Sequence, residues 1–250
     1  MEKITSLSNS LVKETAKLSQ KKYRDAEGKI LLEGYKPIYE AYLCGLDIEY
    51  VFVNETKAAE YEFIKEKLII TTDAVLKKIS TTESVPESVG VCRRKNYDLK
   101  NAGKFQKVVL LENIKDAGNL GTILRTSCAL GADLVILFGD CVDLYNPKVV
   151  RSAVGALWKI PIIHTTDIEF IKTQFKNHNK IATLPRSKNI LSKFNSEVPF
   201  VVMFGSEADG LSGKLIAACD KDVKIEMKDN VESLNLSISC GIILYKLLIN

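Results

Sequence analysis

Residues 108–133, VVLLENIKDAGNLGTILRTSCALGAD, limit what this chain can fold into more narrowly than any other stretch. They open on a branched apolar run, Val108 to Leu111, bounded by polar residues, which predicts a buried strand. A polar loop follows, and then a helical pattern from about Asn119. Leu120, Ile123, Leu124 and Cys128 fall on one helical stripe and should face a core. Gly118, Gly121, Thr122 and Arg125 share a second face that carries almost no bulk except one long cation. Backbone or ligand can approach such a face closely, with Arg125 standing over the gap. Asn119 sits where a helix cap or first-turn residue belongs. Taken alone, the stretch is equally compatible with a purely structural cap and a solvated arginine. Its glycines form GxxG, not GxGxxG, and no GK[ST] follows, which argues against a dinucleotide fingerprint and a P-loop.

Upstream, helix and strand patterns alternate. Leu7, Leu11, Thr15 and Leu18 mark a helical stripe, crowded by Lys13, Lys17, Lys21, Lys22 and Arg24. Strands are expected at 29–33, 49–53, 68–71 and 89–92, and helices at 35–43, 58–66 and 74–79, the last capped by Asp73. Residues 1–95 therefore read as a small α/β domain. The following segment is polar, basic and without periodicity, so 96–106 reads as a linker, and 107–250 as a second domain. Arg93, Arg94, Lys95, Lys100, Lys104 and Lys107, in and around that segment, suit either a solvated linker or a nucleic-acid backbone.

In the second domain, strands are expected at 108–111, 134–138, 160–164, 180–184, 200–204 and 223–226, with helices between them and a last one over 235–248. Alternating β and α units imply a parallel sheet covered on both faces. Asn146-Pro147 reads as a cap and first-turn proline. The helix after it has an apolar stripe opposite Lys148, Arg151, Ser152, Gly155 and Lys159, a basic face able to approach a phosphate backbone or another subunit.

The chain has 250 residues, 46% of them hydrophobic, enough for one large or two modest domains. No apolar run nears the roughly 20 residues that span a bilayer, and the start lacks the apolar core of a secretory signal. The six scattered cysteines form no CxxC pair and read as reduced thiols of a cytoplasmic protein. Two histidines make a multi-histidine metal centre improbable, so no metal is expected. The net charge of +4 is compatible with nucleic acid without requiring it.

Two later junctions resemble the first in design. VVMFGSEADGLS, residues 201–212, runs an apolar strand into Gly205, Glu207 and Gly210. IEMKDNVESLNLSIS, residues 225–239, brings Ser233 and Asn235 to the start of a helix that is apolar nearly all round, and hence expected to be buried in the core or at a subunit interface. In parallel sheets ligands bind at loops on the carboxyl ends of strands.

The ordered set NxxxxGNxGxxxR (Asn113, Gly118, Asn119, Gly121, Arg125), GSExxGLS (205–212) and IxM…SLNxS (Ile225, Met227, 233–237) resembles the SpoU/TrmH family of RNA ribose 2′-O-methyltransferases, within the SPOUT or α/β-knot superfamily. Lys21, Arg24, Glu27, Gly28, Leu32, Glu33 and Gly34 look like the RNA-recognition domain of its ribosomal-RNA members. The resemblance covers essentially the whole chain. It implies a parallel-sheet α/β fold with a deep trefoil knot, a smaller N-terminal α/β domain that binds RNA, and a homodimer with the active site near the interface. It implies S-adenosylmethionine as cofactor, held by Gly205, Ile225, Met227 and Leu234, and a catalytic group of Asn119, Arg125, Glu207, Ser233 and Asn235. Lys21, Lys22, Arg24, Lys148 and Arg151 would meet the RNA. Ribosomal RNA, most simply 23S, is the expected substrate, with transfer RNA or a non-catalytic RNA-binding factor as alternatives. DNA, lacking the 2′-hydroxyl, is not expected to serve. Three positions depart from the family pattern: Ala117 and Glu226 stand where proline is common, and Ala208 where glycine is.

Overall fold

The computed structural model describes residues 2–95, 97, 100–228 and 233–249. They divide into two compact units, Met1–Asn96 with Asp143–Trp158, and Tyr97–Val142 with Lys159–Asn250. In chain order the first unit runs β1 (Glu2–Lys3), α1 (Ser10–Lys17), α2 (Lys21–Glu27), β2 (Lys29–Glu33), α3 (Tyr35–Leu43), β3 (Ile48–Asn54), β4 (Leu68–Thr71), α4 (Asp73–Ile79) and β5 (Ser88–Arg93). The second unit begins with β6 (Lys107–Glu112), α5 (Ala117–Ala129) and β7 (Leu134–Phe138). The chain then contributes α6 (Pro147–Ala153) to the first unit and continues through α7 (Ala156–Lys159). It completes the second with β8 (Ile162–Thr165), α8 (Ile168–Gln174), β9 (Asn179–Thr183), β10 (Phe200–Phe204), α9 (Gly213–Ile216), β11 (Lys221–Val223) and α10 (Leu236–Leu248).

The second unit is built on a six-stranded sheet in the order β11-β9-β10-β6-β7-β8, and every pairing in it is parallel. Val108 to Leu111, Leu134 to Phe138 and Phe200 to Phe204 are buried throughout. That matches a sheet covered on both faces, whose strands read as unbroken apolar runs. The first unit has a mixed sheet, β1-β4-β3-β5-β2, with β5 antiparallel to both of its neighbours. Its first strand, only two residues long, carries no periodicity and was not expected.

Several local expectations are corrected. Of the two places expected for Asn119, it takes the first turn of α5 and not the cap: Asp116 caps the helix, accepting the Asn119 N–H at 2.7 Å, which leaves the Asn119 side chain free for other work. Thr72, not Asp73, caps α4, and Asp73 is the acid of its first turn. The expected helix over 58–66 is a kinked 3-10 segment, Glu55–Lys67, with non-helical backbone at Tyr61 and Ile64. The helix from Pro147 breaks at Val154 and Gly155, both at positive φ, before α7 resumes. On α1 the buried residues are Val12 and Thr15, while Leu7, upstream of it, is exposed. Of the two kinds of burial expected for α10, the single chain supplies the core for Cys240, Ile243, Leu244 and Leu248, while Ile238, Ile242 and Tyr245 are exposed on it.

Two arginines of the first unit are paired with carboxylates inside it. Arg24 is 3% exposed; Nη1 donates to the carbonyls of Leu18 at 2.8 Å and Ser19 at 2.7 Å, and its Nε and Nη2 face Asp143. Arg151 pairs with buried Glu33, whose carboxylate also accepts the N–H and hydroxyl of Thr81. The expectation that Arg24 meets RNA is therefore corrected: its donors are committed inside the unit. Breaking a buried pair strands the remaining charge, so Arg24→Met should destabilise the first unit by about 3–5 kcal/mol in denaturant unfolding. Wild-type stability of that variant would show the pair to be dispensable.

Candidate active site

Parallel strands bring their carboxyl ends to one edge of the sheet, and the loops after β9, β10 and β11 meet there with the start of α10. Between them lies a cavity of about 890 Å³. Its floor is apolar, with Phe204, Leu211, Ile216, Val223 and Ile243. Gly205, Ile225, Met227 and Leu234 all line it, as do Glu207, Ser233 and Asn235.

The loop after β10 folds tightly on itself. A Cβ at Gly205 would stand 1.9 Å from the carbonyl carbon of Gly210 and 2.1 Å from the nitrogen of Leu211, so no side chain fits there. Ser206 accepts the N–H of Gly210 through its carbonyl at 3.0 Å, and Gly210 takes a φ of +68° that only glycine adopts without strain. The loop is anchored at its far end by Glu112, 1% exposed at the end of β6, which accepts the Ser212 N–H at 2.7 Å. Glu112 was not singled out in the sequence, although a carboxylate closing an apolar strand is a legible signal.

A hydrogen-bonded chain then joins the three motifs. Asn119 Nδ2 donates to Glu207 Oε1 at 2.6 Å, and Asn235 Nδ2 donates to Asn119 Oδ1 at 3.1 Å. The other oxygen of that chain, Asn235 Oδ1, caps α10 by accepting the N–H of Ser237 at 2.9 Å. Asn235 thus fixes the helix start and the Asn119 amide at once, and Asn119 in turn orients the Glu207 carboxylate. Cys240, one turn into α10, is no nucleophile: burial pushes its thiol well above the ordinary range, and the charge of Glu207 adds to the effect.

Two catalytic candidates lie outside this hydrogen-bonded chain: Ser233, which lines the cavity, and Arg125, which does not. Arg125 is exposed on α5 and has no hydrogen-bond or ion-pair partner among the described residues. The side of α5 that does bury includes Leu120, Gly121 and Leu124, and the helix packs against α10.

The departures from the family pattern have local accounts. Ala117 is the first residue of α5, a position where proline is common because its missing N–H costs nothing and its fixed φ suits the helix, and where alanine is also a good helix former. Ala208 lies exposed on the cavity-lining loop after β10. Glu226, between the cavity-lining Ile225 and Met227, reaches the other way and accepts both the N–H and the hydroxyl of Ser192. The Ser192 hydroxyl holds its carboxyl below the usual carboxylate value, so this clamp persists at neutral pH and loosens only in acid. A side-chain clamp thereby restrains a loop that proline would restrain covalently.

Residues 106–245 match the model of the SpoU rRNA methylase family, and residues 9–90 match an MRM3-like substrate-binding domain. The chain belongs to the SpoU rRNA methylase family. It is 30% identical to an uncharacterised tRNA/rRNA methyltransferase of Synechocystis, over 97% of this chain and 92% of that one. It is 27% identical, over 99% of each chain, to the 23S rRNA (guanosine(2553)-2′-O)-methyltransferase of Bacillus subtilis. The crystal structure of an AdoMet-bound rRNA methyltransferase from Sinorhizobium meliloti superposes with a TM-score of 0.86 at 26% identity, covering 98% of this chain and 96% of the other.

Gly205→Ala should cost about 1–3 kcal/mol, because the loop must open to admit one methyl group. Gly213→Ala, where no atom lies within 4 Å, should stay within about 0.5 kcal/mol of wild type. Thermal unfolding of the two variants side by side checks the difference; equal midpoints would contradict the crowded loop.

Proposed function

We propose that this chain transfers a methyl group from S-adenosylmethionine to a ribose 2′-hydroxyl of RNA, with 23S ribosomal RNA as the substrate. The observation that carries this reading is the junction of the family's three motifs by the Asn119–Glu207 and Asn235–Asn119 hydrogen bonds beside one cavity. Ligand clefts run about 300–1,000 Å³, so the cavity is of the right size for a nucleoside cofactor. Its apolar floor suits a base, and the crowded backbone at Gly205 leaves main-chain groups as the surface offered to the ligand. Gly205, Ile225, Met227 and Leu234 would hold the cofactor. S-adenosylmethionine supplies the methyl as an electrophilic sulfonium substituent.

The protein's part is alignment and charge. Transfer needs the ribose oxygen, methyl carbon and sulfur in line; the carbon–sulfur bond breaks as the oxygen–carbon bond forms, and the hydroxyl proton is lost to solvent. Positioning of this kind lowers barriers by about 7–11 kcal/mol. Asn119, Ser233 and Asn235 orient the hydroxyl and the donor, and Glu207 holds the loop in register. Arg125 stabilises oxyanion character on the ribose oxygen, or the adjacent phosphate. A guanidinium keeps its proton throughout the working pH range, so electrostatic stabilisation suits it better than proton abstraction.

Arg125 stands apart from the cavity of its own chain, which favours a homodimer with the active site at the interface. Support comes from α10, whose Ile238, Ile242 and Tyr245 are 54%, 40% and 55% exposed along one helical stripe. An apolar stripe of this kind fits a second copy. Because α5 packs on α10, pairing through α10 would set Arg125 beside the interface.

The first unit is proposed to bind RNA, supported by its match to a substrate-binding domain. Lys21, Lys22, Lys148 and Arg151 remain the proposed contacts. Lys21 already pairs with Asp25, Lys22 stands over the Tyr23 ring and Arg151 Nη1 is held by Glu33 and Thr81, so RNA would have to exchange with those partners or use the remaining donors of Arg151. Ribosomal RNA is favoured over transfer RNA by the 23S-specific relative that aligns end to end. The scattered free cysteines favour the cytoplasm, and no helix among the described residues is long and apolar enough to cross a membrane.

Arg125→Ala should lower methyl transfer by about 100- to 1,000-fold, the loss typical of removing one charge-stabilising donor. Its cofactor affinity and unfolding midpoint should stay at wild-type values. Transfer of labelled methyl groups to ribosomal RNA measures the first and calorimetry the second; wild-type turnover would remove Arg125 from the mechanism.

A further inference from the structure

The cavity carries a cation that none of the family motifs supplies. Arg186 lies in the turn after β9, lines the cavity, is exposed, and has no hydrogen-bond or ion-pair partner among the described residues. The turn that presents it is firmly built. The hydroxyl of Ser187, itself buried, donates to Asp222 Oδ1 at 2.8 Å, and Asn189 Nδ2 donates to the same oxygen at 2.8 Å. The Ser187 N–H meets the Leu184 carbonyl at 3.1 Å, and the Leu184 N–H meets the Val223 carbonyl at 3.0 Å. These bonds tie the turn to β11 and its loop, so Arg186 is offered from a fixed base and not from a loose strand of chain.

Charge around the cavity has both signs. Arg186 and Lys224 line it on the loops after β9 and β11, and Glu207 and Asp209 line it on the loop after β10. An RNA phosphate entering here would meet two carboxylates as well as the cations. The amino-acid arm of the methyl donor carries an ammonium and a carboxylate together, and so matches a mouth of mixed sign. We propose that Arg186 binds the carboxylate of that arm, and thereby fixes the direction in which the sulfonium methyl points. The planar fork of a guanidinium is suited to this, since it can donate two parallel hydrogen bonds to one carboxylate.

This inference rests on reading the cavity as the methyl-donor site, and the test separates the two. S-adenosylhomocysteine keeps the amino-acid arm, whereas 5′-methylthioadenosine keeps the nucleoside and sulfur but lacks the carboxylate. Calorimetry on the full-length protein should show Arg186→Ala weakening S-adenosylhomocysteine about tenfold to a hundredfold, as expected for loss of a charged hydrogen bond. Affinity for 5′-methylthioadenosine should stay within about twofold, because it makes no contact with this side chain. Arg186→Lys, a point charge without the fork, should fall between wild type and alanine for S-adenosylhomocysteine only. Equal losses for both ligands, or no loss for either, would overturn the assignment. So would unchanged S-adenosylhomocysteine affinity with weakened RNA retention in a filter assay, which would put Arg186 on a phosphate. Failure of the wild-type protein to bind either nucleoside would instead overturn the reading of the cavity itself, and this inference with it.

Discussion

Asn119 holds the site together because its own helix does not need it. Asp116 takes the capping role at α5, and the Asn119 amide is left to donate to Glu207 and to accept from Asn235. Those two bonds cross 88 and 116 residues of chain, so they exist only once the six parallel strands are in register. Everything else at the site follows from that registration. The loop after β10 closes on Gly205 and is anchored by Glu112, the segment after β11 is clamped through Glu226, and Asn235 sets where α10 begins. Folding of the sheet and assembly of the site are in this sense one event.

The division of charge between the two units follows the same economy of contacts. In the first unit the most buried guanidinium, Arg24, is saturated by a carboxylate and two carbonyls, and Arg151 is held by Glu33 and Thr81. Charges arranged in this way specify how α2 and α6 sit in the unit. In the second unit the cations that matter, Arg125 and Arg186, have no protein partner among the described residues. A buried unpaired charge would be costly, but an exposed one remains available to an anionic ligand.

Much of this was legible in the sequence, and the failures have physical causes. The strands of the second unit announced themselves as unbroken apolar runs, because a parallel sheet covered on both faces buries every side chain. Gly205, Glu207, Ser233 and Asn235 were found because each stands at a junction where a strand pattern stops. Asn119 was seen but given two possible roles, since Asp116 and Asn119 are both good caps and only the geometry says which one caps. Arg24 was misread because a lysine-rich neighbourhood hides which cation is the buried one; its partner Asp143 is 119 residues away. Arg186 and the Ser192–Glu226 clamp were invisible, since nothing local marks a turn whose importance comes from what folds beside it.

The central claim is that one ligand occupies the space where the loops after β9, β10 and β11 meet the start of α10. Hydrogen–deuterium exchange with and without S-adenosylmethionine addresses it directly. Slower exchange is predicted in peptides covering residues 183–186, 205–212, 224–228 and 233–236, with the first unit unchanged. Protection elsewhere, with those four segments exchanging as before, would contradict the account.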